Sequence, residues 1–97
     1  MDSKEINSVV SKLMGRAADW FHDTSLLNEL TLKAANRIHG SVSLYIDGDN
    51  FDPPPCYCVI NWWLMQEAKG EGATMNEAVC RALILAEGQD HASSTRH

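Results

Sequence analysis

The spacing of apolar residues along the chain passes from helical to strand-like and back to helical. Ile6, Val9, Val10, Leu13, Met14 and Ala17 recur at steps of three and four, which predicts an amphipathic helix with one stripe toward a core. It starts at Asp2 or Ser3, where Asp2 and Glu5 form a capping-box-like pair and their charge suits the positive helix end. Gly15 marks a place to fray or bend, with Trp20 and Phe21 closing the apolar end. Asp23, Thr24 and Ser25 then open a second helix, marked by Leu26, Leu27, Leu30, Ala34, Ala35 and Ile38. Gly40 ends it, where a left-handed residue costs least. His39, in the last turn, is explained by the negative helix end before any ligand role is needed.

From Ser41 to Asp47 the period becomes two. Val42, Leu44 and Ile46 share one face, expected to be buried, and Ser41, Ser43, Tyr45 and Asp47 share the other. GDNFDPPP follows, a loop joining antiparallel strands, because prolines lack the N–H a ladder needs and Gly48 and Asn50 favour turning. The stretch Cys56 to Met65, CYCVINWWLM, reads as the central strand, running on toward Glu67 and Ala68. Cys56, Cys58, Ile60, Trp62 and Leu64 line one side; Tyr57, Val59, Asn61, Trp63 and Met65 line the other. Both sides are mostly apolar, so both call for cover, by helices or by a partner. KGEGAT bends the chain or adds a short third strand. Thr74 and Glu77 form a capping box for a last helix, whose buried stripe is Met75, Ala78, Val79, Ala82, Leu83 and Ala86. Gly88 is expected to stop it, leaving a polar, disordered tail over 89–97. The order helix, helix, strand, strand, helix implies one α+β domain over 1–88: a small antiparallel sheet of two to three strands packed with about three helices.

Composition adds limits. With 97 residues, 44% hydrophobic and 22% charged, the chain can bury a core unaided. A net charge of −5 speaks against nucleic acid as a direct ligand and suits a basic partner. The sequence has neither an apolar run of roughly 18 residues nor a signal-like start, so no membrane is expected and the protein is placed in the cytoplasm. The 3 cysteines fit reduced thiols there.

No catalytic set emerges. Counting a calcium loop from Asp47 puts Phe51 at the ligand position 5, Asp52 where the glycine belongs at 6 and Cys58 where the final glutamate belongs at 12, so the spacing fails. Cys56, Cys58 and Cys80 would need His22 or His39 to complete a zinc site, without helpful spacing, and packing explains buried thiols better. No serine lies in a nucleophile elbow, and KGEGAT lacks the full phosphate-loop pattern. The expectation is a non-enzymatic protein without cofactor or metal.

Two features suit contact with a protein instead. Asp47, Asp49 and Asp52 with Phe51 form an acidic rim stiffened by the prolines, fit for lysines and arginines. Tyr45 on the first strand with Tyr57, Val59, Trp63 and Met65 on the second form an aromatic side, either buried under the helices or a surface for a partner. The candidate partner-binding residues are therefore Asp47, Asp49, Phe51, Asp52, Tyr57, Trp63 and Met65. The sheet edges also offer a route to a homodimer.

SVSLYIDGD, CYCVINWWLM and GATMNEAVCRALILAEG together resemble the small phage proteins grouped as the phage ABA sandwich domain. The match centres on Ala78, Cys80, Arg81, Ala82 and Leu83, and VVSKLMGRAADW is similar to the group's N-terminal helix; 22–39 and the proline loop depart from it. The resemblance implies a phage or prophage origin and no particular chemistry. In that setting the leading expectation is an inhibitor of a bacterial defence complex, acting by protein contact as anti-CRISPR proteins do. One alternative is a sponge for a nucleotide immune signal, using Trp62 or Trp63 and Arg37 or Arg81. Another is a phage housekeeping adaptor.

Overall fold

The computed structural model describes residues 2–38, 40–48, 54–62 and 66–95, with the backbone alone for 37, 38 and 89–95. Among the described residues, α1 (Ser3–Met14), a single 3₁₀ turn (Thr24–Leu26), α2 (Leu27–Ile38), β1 (Ser41–Ile46), β2 (Cys56–Trp62), β3 (Gln66–Gly72) and α3 (Met75–Thr95) follow in that order. The strands form an antiparallel meander, β1-β2-β3, so the fold is α+β.

Local chemistry sets the helix ends. The Asp2 carboxylate accepts from the Glu5 N–H, and Gly15 closes α1 in a left-handed conformation, φ 82°. Asp23 caps the 3₁₀ turn by accepting from the Ser25 N–H. At the end of α2 the Gly40 N–H reaches the Ala35 carbonyl, and a side chain at Gly40 would overlap the Asn61 carbonyl of β2. Close approach to a strand is thus what Gly40 serves. Thr74 and Glu77 exchange their capping contacts at 3.3 Å.

The helices lie on one side of the sheet. Cys56, Cys58 and Ile60 of β2 and Ala68 of β3 are buried there with Ala78, Val79, Ala82, Leu83 and Ala86 of α3. α3 sits on β3 because β3 offers it Ala68, Gly70 and Gly72; a Cβ at Gly70 would collide with the Ala78 carbonyl and the Ala82 amide. α1 and α2 pack against α3 through Ile6, Val10, Leu30 and Ala34, around a fully buried Trp20. Asn76, 1% exposed, donates to the carbonyls of Trp20 and Asp23 and pins the α1–α2 connection to the start of α3.

Four expectations change. The described central strand is Cys56–Trp62, residues 63–65 lie outside the described residues, and Glu67 and Ala68, expected to continue that strand, belong instead to a full third strand, Gln66–Gly72, paired with it, Trp62 opposite Gln66. The described helices cover one side of the sheet only, and on the other side Tyr57, Val59 and Asn61 of the central strand are flanked by exposed Ser41, Ser43, Glu67, Lys69 and Glu71. On β1 only Val42 packs on the core, while Leu44 and Ile46 are 39% and 59% exposed, since β1 is the edge farthest from α3. Finally, α3 continues past Gly88 to Thr95: one glycine costs a helix about 1 kcal/mol and does not end it unaided.

Candidate functional site

The side of the sheet away from the helices is the candidate surface. Antiparallel register places Tyr45, Tyr57 and Glu71 in one row across it, Ser43, Val59 and Lys69 in the next, and Ser41, Asn61 and Glu67 in the third. Ser41, Ser43, Tyr45, Glu67, Lys69 and Glu71 are exposed, and Tyr57, Val59 and Asn61 half-buried. β-strand alternation produces this division: the same strands that give Cys58, Ile60 and Ala68 to the core give these residues to solvent.

Two tyrosines dominate it. The Tyr45 and Tyr57 rings stack with centroids 5.0 Å apart and planes inclined by 23°. Lys69 lays its ammonium 4.6 Å from the centroid of Tyr57 and 6.0 Å from that of Tyr45. The Tyr57 hydroxyl donates to Glu71 Oε1 at 3.4 Å. Desolvation first, and then the Glu71 carboxylate, push the Tyr57 phenol above its ordinary value. Lys69 is likewise held up, first by a side-chain hydrogen bond with Tyr45. Phenol and ammonium therefore keep their protons at neutral pH, and the cluster presents flat aromatic area ringed by one cation and one anion. That suits contact more than proton transfer.

Of the residues named from the sequence, Tyr57 is central to this surface. Asp47 lies beside it at the start of the β1–β2 connection, its N–H donating to the Pro55 carbonyl at 3.2 Å. Asp49, Phe51, Asp52, Trp63 and Met65 lie outside the described residues. Lys69 and Glu71 are absent from the sequence-based candidates because KGEGAT reads equally as a bend or a short third strand, which leaves their face unassigned. The signal was the alternation of charged Glu67, Lys69 and Glu71 with small Ala68, Gly70 and Gly72.

Elsewhere, side chains with chemical potential are engaged in structure. Cys56, Cys58 and Cys80 are buried free thiols, and burial pushes Cys58 and Cys80 up to about 12. Among the described residues no cluster of histidine, cysteine and carboxylate side chains could hold a metal ion. Arg81, a candidate for nucleotide binding, donates to the Glu71 carbonyl at 2.7 Å and lies over the Phe21 ring at 5.3 Å. Trp62, another of these candidates, packs partly buried against the core, while Trp63 and the Arg37 side chain lie outside the described residues. Among the described residues, no helix is long and apolar enough to cross a membrane.

Models of known protein families, curated proteins and solved structures were compared with the chain, and none matches it.

Proposed function

We propose that this protein works by binding another protein through the open side of its sheet, and that in the phage setting suggested by its sequence the partner is a bacterial defence complex that it inhibits. The observation that carries the reading is the Tyr45–Tyr57 stack on the side of the sheet that the described helices leave uncovered. Tyrosine supplies large, rigid contact area at little conformational cost, and its enrichment at protein interfaces follows from that. Lys69 and Glu71 beside it offer one charge of each sign for orientation. The acidic chain favours a basic partner surface, such as one that handles nucleic acid. The deeply buried thiols, with their raised pKa values, support action by contact over nucleophilic chemistry.

The test is phage plating on bacterial strains that each carry one defined defence system, with and without this protein expressed. Restored plating in one strain supports the reading and names the complex to purify. Unchanged plating in every strain overturns the anti-defence part and favours an adaptor that uses the same surface on a phage protein.

A further inference from the structure

β1 is a terminal strand, and among the described residues no strand pairs with its outer side. Which of its backbone groups point outward follows from one bond. The Asp47 N–H donates to the Pro55 carbonyl, and these residues continue the register that pairs Ile46 with Cys56. Asp47 and Pro55 are therefore opposite each other at a hydrogen-bonded site. Such sites alternate along an antiparallel pair, so Tyr45, Ser43 and Ser41 also turn their N–H and C=O groups toward β2. Val42, Leu44 and Ile46 turn theirs outward.

This edge lacks the usual protection. SVSLYI contains no charge, proline or glycine, whereas the other edge, β3, carries Glu67, Lys69 and Glu71 and lies under α3. Leu44 and Ile46 also leave apolar area exposed at the open edge.

We infer that β1 pairs with the β1 of a second copy of this chain, antiparallel about a twofold axis through Leu44, to join the two sheets. This register sets Leu44 against Leu44, Val42 against Ile46, and Ser43 against Tyr45 of the other copy. Every outward N–H and C=O from Val42 to Ile46 then finds a partner, in about six backbone hydrogen bonds. Apolar residues meet on the helix side, and on the open side a small serine faces each tyrosine. Charge does not oppose a second copy at this edge. Two molecules of net charge −5 repel, yet the contact strand is neutral, and Asp47 comes opposite Ser41 and not another acid. The assembly is isologous and closed, with no further β1 edge to propagate. It stands without the proposed function, although it would set the two tyrosine clusters side by side on one continuous surface.

Sedimentation velocity of the full chain over a wide concentration range tests this, with Leu44→Lys, Ile46→Lys and Leu44→Pro beside it. The expected result is a species of about twice 10.8 kDa for the wild-type chain and a folded monomer for each lysine variant, because Leu44→Lys sets two like charges against each other at the axis and Ile46→Lys sets a charge against Val42 of the other copy. Leu44→Pro removes an N–H that faces outward, so it too should fold and remain monomeric. Ser43→Pro, whose N–H faces β2, should unfold. A wild-type chain that is monomeric throughout, or folded lysine variants that still dimerise, would overturn the proposal.

Discussion

Asn76 donates its side-chain amide to the backbone carbonyl of Trp20 at 3.1 Å, across 56 residues of sequence. The same nitrogen reaches the Asp23 carbonyl at 2.8 Å. A buried asparagine at the second position of α3 thereby fixes the connection that carries Trp20 into the core. Asn76→Ala leaves two carbonyls without this donor, and the expected loss is about 2 kcal/mol of stability. Asn76→Asp should cost more, because a carboxylate there faces two carbonyl oxygens with little water. Urea denaturation of both variants reads the difference, and equal stability of all three proteins would contradict the assigned role.

Two glycines should respond in opposite directions. Gly70→Ala places a Cβ against the backbone of Ala78 and Ala82, so α3 must move off β3, at an expected cost of about 3 kcal/mol or more. Gly88→Ala meets nothing within 4 Å and removes a glycine from a continuous helix. It should gain about 1 kcal/mol. Thermal melts of the pair check this, and a destabilised Gly88→Ala would argue against a helix through that position.

Much of this architecture was legible because its signals are local. Asp2 with Glu5 and Thr74 with Glu77 announce helix starts through bonds made within one turn. Val42 with Ile60 and the α3 stripe announce faces through period. The third strand was only half legible, because the face it buries is made of Ala68, Gly70 and Gly72. These are buried for their smallness, which hydrophobic alternation does not weigh. The partners of Asn76 are non-local, and nothing in one sequence pairs residues 20 and 76. For the candidate surface, Tyr57 could be placed on an aromatic side from alternation alone. That this side is open depends on every described helix choosing the other, which the sequence left undecided.

Alkaline solution should weaken the fold in a defined range. Burial raises the Cys58 and Cys80 thiols from 9.0 to about 12. Well below pH 9 these thiols are neutral in both the folded and unfolded chain and the full stability is present. As pH rises from about 9 toward 12, the unfolded chain loses thiol protons that the folded chain keeps, and stability falls. Tyr57, also raised, acts in the same sense at higher pH. Denaturation midpoints measured on either side of pH 9 should decline upward, and Cys58→Ala with Cys80→Ala should flatten the decline. At pH 8 the two thiols should react with a chromogenic disulfide far faster in denaturant than without it. Rapid reaction in the folded state would mean that they are not buried as described.

The open-side tyrosines are separable from stability. Tyr45 is 42% exposed and Tyr57 half-buried, so Tyr45→Ala with Tyr57→Ala removes the stack, worth about 1 kcal/mol beyond the area its rings bury, and leaves the helix side of the sheet intact. The helical circular dichroism signal should be unchanged. Lys69→Ala, which removes the cation over both rings, should weaken binding by a smaller factor than the double change.

The most direct measurement of the proposed function is plating efficiency in a defence-carrying strain on which expression of the wild-type protein restores plating, repeated with the folded Tyr45→Ala, Tyr57→Ala double variant at equal abundance. The account predicts that the double variant fails to restore plating. Plating restored as well as by the wild-type protein would show that the open side of the sheet is not the surface through which this protein acts.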